Sequence, residues 1–147
     1  MDNLKDYVDK FYGRKKEKEE TEAEEKKYIY KEGEEFISNA VQPALKEIAK
    51  AFGEHRKSKI HKNPIMGGIE IYDEICMEEF GYYVFLKESK NGLIPIARIS
   101  FYSKEKGERD SVEDEIGDTP DEKTVEYITK EDIIHHFQKM HSEYSNY

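Results

Sequence analysis

The sequence predicts an α+β domain: a kinked amphipathic helix, an antiparallel meander of three to four strands and a C-terminal helix, preceded by a charged N-terminal helical arm. Three observations predict it. Apolar residues recur at three- and four-residue spacing from Phe36 to Phe52, the period changes to two from Ile69 to Phe101, and helical spacing returns from Ile133 to Met140. Charge gathers at the N-terminal end and in a later stretch, so a composition of 39% charged and 36% hydrophobic residues implies one core with charged appendages. At 147 residues, a single domain over 31–147 with an arm over 1–30 is the expected organisation.

The arm opens with "MDNLKDYVDKFYGRKK", which places Leu4, Val8 and Phe11 at i, i+4, i+7, flanked by Tyr7 and Tyr12. This is one side of a short amphipathic helix, with Gly13 as its expected stop. A helix of about ten residues is marginal alone in water, so the stripe of Leu4, Val8 and Phe11 reads as a protein interface. Residues 14–27 then set six basic side chains against six glutamates with no apolar heptad. Lys precedes Glu at most i, i+4 pairs, the weaker order, and the segment reads as a solvated helix or a tether.

From Glu34 the core helix is plain: Phe36, Ile37, Ala40, Val41, Ala44, Leu45, Ile48, Ala49 and Phe52 share its stripe. Pro43 removes a backbone donor and crowds the carbonyl of Asn39, so a kink or restart is expected there. Gly53 marks the approach of the end. In "EHRKSKIHK", residues 54–62, Arg56, Lys57 and Lys59 follow that end, where cations complement the helix macrodipole by about 0.3–1 kcal/mol each. Lys62 lies beyond the reach of the dipole. As a candidate ligand site, Arg56, Lys57, Lys59 and Lys62 would contact phosphate or nucleic acid, although a net charge of -9 opposes broad attraction to either.

The loop "KNPIMGG" breaks regular structure. A first strand follows, with Ile69, Ile71, Ile75 and Met77 on one face and Asp73 as that face's odd member. In the second, Phe80, Tyr82, Val84 and Leu86 alternate with Tyr83 and Phe85. "KNG", residues 90–92, supplies the Asn-Gly pair of a tight hairpin. In the third strand Leu93, Pro95, Ala97, Ile99 and Phe101 share the core face, and Pro95 suits an edge or a strand's beginning. The reverse face carries Tyr83, Phe85, Ile94, Ile96 and Tyr102, large side chains that need a cover and so form a second expected protein interface.

Residues 105–122 hold nine acidic and two basic side chains and read as a solvated loop that lacks the ligand spacing of a calcium site. "TVEYI", residues 124–128, reads as a fourth short strand. Thr129 with Asp132 resembles a capping box, and Ile133, Ile134, Phe137 and Met140 form the stripe of the closing helix.

No catalytic residue, metal site or cofactor is expected. His135, His136 and His141 lack the i, i+3 or i, i+4 spacing of helical ligands, and His136 is expected to face solvent. Cys76, the single cysteine, reads as a semi-buried strand residue, and no nucleophile-elbow or phosphate-loop motif occurs. The start "MDNL" lacks the features of a secretion signal, and no apolar run nears the roughly 20 residues of a membrane span. The expected setting is therefore cytoplasmic, with no membrane partner. The expected function is a non-enzymatic protein-interaction or accessory module that forms a homodimer and binds a further protein. A nucleic-acid or phosphorylated-ligand binder using residues 54–62 is the alternative, and a small hydrolase the third reading.

Overall fold

The computed structural model describes residues 2–117 and 124–145. The chain divides into two compact units, Met1–Glu32 and Gly33–Tyr147. The architecture is α+β, as the periodicity predicts, but with five strands rather than three or four.

From Asp2 the first unit is helical, within α1 (Asp2–Phe36). The stop expected at Gly13 does not occur. A glycine inside a helix costs about 0.5–1 kcal/mol relative to alanine, and the Lys, Glu and Ala residues that follow are good helix formers. Leu4, Tyr7, Val8, Phe11 and Tyr12 are exposed, with Leu4 at 70% and Phe11 at 52%. The Phe11 ring lies 6.3 Å from Tyr7 and 5.4 Å from Tyr12.

The break expected at Pro43 takes the form of a π turn, Ile37–Val41, followed by α2 (Gln42–Phe52) with Pro43 in its first turn. Gln42 N–H reaches back five residues to the Ile37 carbonyl. The wider turn brings the chain past the proline without losing the apolar phase, so Phe36, Ile37, Val41, Ala44, Leu45 and Ile48 all stay buried.

Five strands follow as a simple antiparallel meander in the order β1 (Lys57–Asn63), β2 (Met66–Tyr72), β3 (Glu78–Ser89), β4 (Gly92–Ser103), β5 (Glu108–Glu115). The register matches the faces read from the sequence: Phe80 pairs with Phe101, Tyr82 with Ile99 and Val84 with Ala97 on the core side. Lys90 and Asn91 form the hairpin loop, and Gly92 begins β4 at φ 127. Pro95 sits just outside the ladder to β5, which begins at Ile96 and Glu115, so its missing donor leaves no gap there.

Four local expectations are corrected. The segment 54–62, expected to complement the end of a helix, runs into an edge strand over Lys57–Asn63, because Ile60 pairs with Ile69 on the core side; the cation in the last turn of α2 is Lys50. Gly67 and Gly68 belong to β2 rather than to a loop. The first strand then ends at Tyr72. Asp73 accepts from Ile75 N–H (3.0 Å) and Met77 N–H (2.9 Å), an Asx turn that leaves Ile75 80% exposed and Cys76 exposed at φ 63. Finally, residues 108–115 are β5, not loop. Val112 pairs with Ile99 and Ile116 is buried, while the carboxylates crowd an edge where water can reach them. Residues 118–123 of that expected loop lie outside the described residues.

The fourth strand expected over 124–128 is instead a 3₁₀ turn, Val125–Tyr127, whose three-residue repeat buries Val125 and Ile128 together. In α3 (Lys130–Tyr144) the capping box is complete: Asp132 N–H donates to Thr129 Oγ1 at 3.2 Å and Thr129 N–H to Asp132 Oδ2 at 2.9 Å. Helices α2 and α3 cover the core face of the sheet, and Ile133, Phe137 and Met140 are buried against it.

His141 lies among the rings of Phe52, Phe80 and Phe137, with centroids 5.4, 5.0 and 5.7 Å away, and its Nε2 has no partner. Burial pushes the imidazole below its ordinary range, against a weaker opposing pull from the Glu79 charge. The unfolded chain therefore binds this proton more tightly, and stability carried by neutral His141 is lost as pH falls below about 6.5 toward the lowered folded value. Urea unfolding between about pH 7.5 and 5.5 should show a steeper loss in the wild type than in His141→Phe. Equal slopes would refute the assignment.

Candidate functional site

The reverse face of the sheet builds a shallow recess of about 900 Å³ from all five strands. The pairing register lays out its rows: His61, Gly68, Tyr83, Arg98 and Glu113 follow one another from β1 to β5, with Asn63, Met66, Phe85, Ile96 and Glu115 beside them.

Two glycines shape the floor. A Cβ on Gly68 would collide with Tyr83 Cδ1, and one on Gly81 would come within 2.9 Å of Tyr83 Cε2, so the Tyr83 ring lies flat over both. Glycine is required here because the aromatic side chain occupies the space where neighbouring side chains would stand. Laid down this way, the Tyr83 hydroxyl donates to Glu78 Oε1 at 3.3 Å. Burial, together with the charges of Glu78 and Glu70, pushes the phenol far above its ordinary range. Tyr83 thus stays protonated and acts as a donor.

Glu70 accepts from His61 Nε2 and from the Tyr72 hydroxyl at 3.2 Å. Burial works against its charge, but these bonds, with those from Tyr83 and the His61 charge, outweigh it and hold the carboxyl below its usual range. On the far side Arg109 donates to the Glu78 carbonyl (2.6 Å) and Ser100 Oγ (2.9 Å) and lies 3.3 Å from the Glu78 carboxylate. Between these two anchored groups stands Arg98, exposed and without a hydrogen bond or ion pair among the described residues. The recess is therefore a rigid frame of paired charges around one available guanidinium, with Tyr83, Phe85 and Met66 beside it.

The apolar reverse face expected from Tyr83, Phe85, Ile94, Ile96 and Tyr102 is divided. Tyr83, Phe85 and Ile94 are half-buried and Ile96 is buried, whereas Tyr102 is 45% exposed and set apart from them by Arg98 and Ser100 on the same face of β4. The alternation of β4 foretells this division; the glycine floor is foretold only by knowing which strands pair.

The basic segment does not form one surface. Arg56 donates to Glu79 at 2.9 Å, Lys57 and Lys59 share the open face with Glu70 and Tyr72, and Lys62 shares the helix-side face with Ile60. A strand sends alternate side chains to opposite faces, so a phosphate backbone could not follow all four cations.

On the other side of the sheet His136, expected in solvent, is buried. Its Nε2 donates to Asp114 Oδ2 at 2.6 Å and its Nδ1 lies 2.8 Å from the Tyr82 hydroxyl. The order tyrosine, histidine, carboxylate resembles a nucleophile relay, but Tyr82 is fully buried and no substrate could reach it. Burial, then the Asp114 charge, drives its phenol upward. Among the described residues no serine, threonine or cysteine side chain bonds to a histidine, and no cluster of three or more His, Cys, Asp or Glu side chains could hold a metal. No described helix is long and apolar enough to cross a membrane.

Comparison of the chain with models of known protein families, with curated proteins and with solved structures finds no match.

Proposed function

We propose that the protein is a non-enzymatic interaction module that self-associates and binds a protein partner through the open face of its sheet. The observation that carries this reading is the unpaired Arg98 among Tyr83, Phe85 and Met66. Tyr, Phe, Met and Arg are the residue types enriched in interface cores, and the Tyr83 ring, already fixed over Gly68 and Gly81, loses little freedom on binding. The exposed stripe of Leu4, Tyr7, Val8 and Phe11 supplies a second surface of the same kind. A two-fold arrangement is the commonest way for identical subunits to satisfy such a face.

Sedimentation at micromolar concentration tests it. The wild type should run as a dimer with weak salt sensitivity, and Phe85→Asp should run as a monomer that still unfolds cooperatively. A chain beginning at Tyr28 should keep cooperative unfolding and lose association, since the first unit contributes to docking rather than to the core. Wild-type protein that stays monomeric would refute the self-association. If Arg98→Glu and Phe85→Asp leave the set of partners recovered from the native host unchanged, the open face is not the binding surface.

A further inference from the structure

On the helix side of the sheet, away from the open face, the π turn and the end of β1 enclose a recess of about 450 Å³. Glu34, Ser38, Gln42 and Lys46 line it at four-residue spacing along the helical wall, with Lys62 and the strand end at Asn63 opposite. Gln42 is nine-tenths buried, and neither its Oε1 nor its Nε2 has a hydrogen-bond partner. The position of Nε2 is marked by Gly67, whose Cβ would come within 3.3 Å of it. Lys62 pairs across the ladder with that same Gly67, which brings its stem level with the Gln42 amide. Lys46, one turn further along α2, is exposed, and among the described residues neither lysine has an ion-pair partner.

One unmet demand, the Gln42 amide, thus stands beside two cations. A buried amide without partners carries its desolvation cost unrecovered, and two exposed ammonium groups without ion-pair partners line the same recess. We propose that this recess binds a small oxyanion-bearing molecule, a carboxylate or phosphate held by Lys46 and Lys62, with the Gln42 amide donating to it. Glu34 lines the same recess at the opposite end of the helical wall from Lys46, so the anion is placed at the Gln42–Lys46 end, away from that carboxylate. Wall and base are both defined by the sequence's local chemistry: Pro43 provokes the π turn that carries Ser38 and precedes Gln42, and Gly67 leaves the room in which the amide lies. Lys62 thereby acquires a role distinct from that of the cations on the open face.

The test is an NMR titration of the full chain with inorganic phosphate and, separately, with citrate. Saturable shifts confined to Lys46, Lys62, Gly67 and the Gln42 side-chain amide are expected for at least one probe, weakened by about tenfold or more in Lys46→Met and in Lys62→Met. The two probes distinguish phosphate from carboxylate as the preferred source. Gln42→Leu should abolish the response while raising the midpoint of thermal unfolding in ligand-free buffer, because it removes a buried polar group that has no partner. Shifts spread equally over Lys57, Lys59 and the other surface lysines, or no saturable shift with either probe, would overturn the proposal. A lower midpoint in Gln42→Leu would overturn it as well, by showing that the amide is already satisfied in the free protein.

Discussion

Replacing Phe137 by alanine should remove about 3–5 kcal/mol of stability, the range found when a buried phenylalanine is truncated and its neighbours relax only in part. The ring is 3% exposed and meets Phe52, Phe80 and Tyr82 edge-on, with centroids 6.0, 5.6 and 5.3 Å away, and stacks on His141 at 5.7 Å. It is where α2, α3 and the sheet converge, so no one element can move to fill the hole. Domains of this size are stable by about 5–15 kcal/mol, and the variant should stand near the edge of folding. Urea denaturation would show a lower midpoint at an unchanged slope, and Phe137→Leu should fall between the two. A loss below about 1 kcal/mol would mean that the centre of the core is elsewhere.

Removing His136 should cost about 2–4 kcal/mol, through a different cause. The loss leaves the Tyr82 hydroxyl buried without a partner and releases Asp114, which is 45% exposed and can return to water. Tyr82→Phe alone should cost about 1 kcal/mol. Because the two side chains serve each other, Tyr82→Phe combined with His136→Leu should cost clearly less than the two single changes added together. Strict additivity in that cycle would show that the 2.8 Å approach contributes nothing.

The elements legible in the sequence were those whose burial is strongly periodic. The stripe of α2, the faces of β3 and β4 and the Thr129 cap all rest on interactions within a few residues or on a regular repeat, and each stands as read. Charge and chance alternation conceal the rest. β5 exposes most of its side chains at a sheet edge, so its single strong apolar member, Val112, was outvoted by carboxylates. Past Tyr72 the alternation continued through Ile75 and Met77 although Asp73 had already turned the chain; that one polar residue on the apolar face was the signal. In the candidate sites the side chains were named more readily than their company. Lys62 was visible as a cation without an explanation, whereas Gln42 and Gly67 become its neighbours only through the pairing of β1 with β2, which one-dimensional spacing does not contain.

The strand order of the sheet bears on how the chain finds its fold. Every strand pairs with the next in sequence, so each ladder closes only a short loop and the entropy lost at each step is small. The contacts of α3 are the costly ones: His136 meets a residue 54 positions earlier, and Lys130 reaches Glu47 across 83. The meander should therefore condense first and the last helix dock late, giving the molecule a low contact order for a sheet protein. Kinetic measurements on conservative variants would display this as high φ-values at Val84 and Ala97 and low ones at Ile133 and Met140, and the reverse ranking would place the nucleus between the helices. Since low-φ contacts govern unfolding far more than folding, the lifetime of the native state would then rest on the grip of α3 rather than on the sheet it covers.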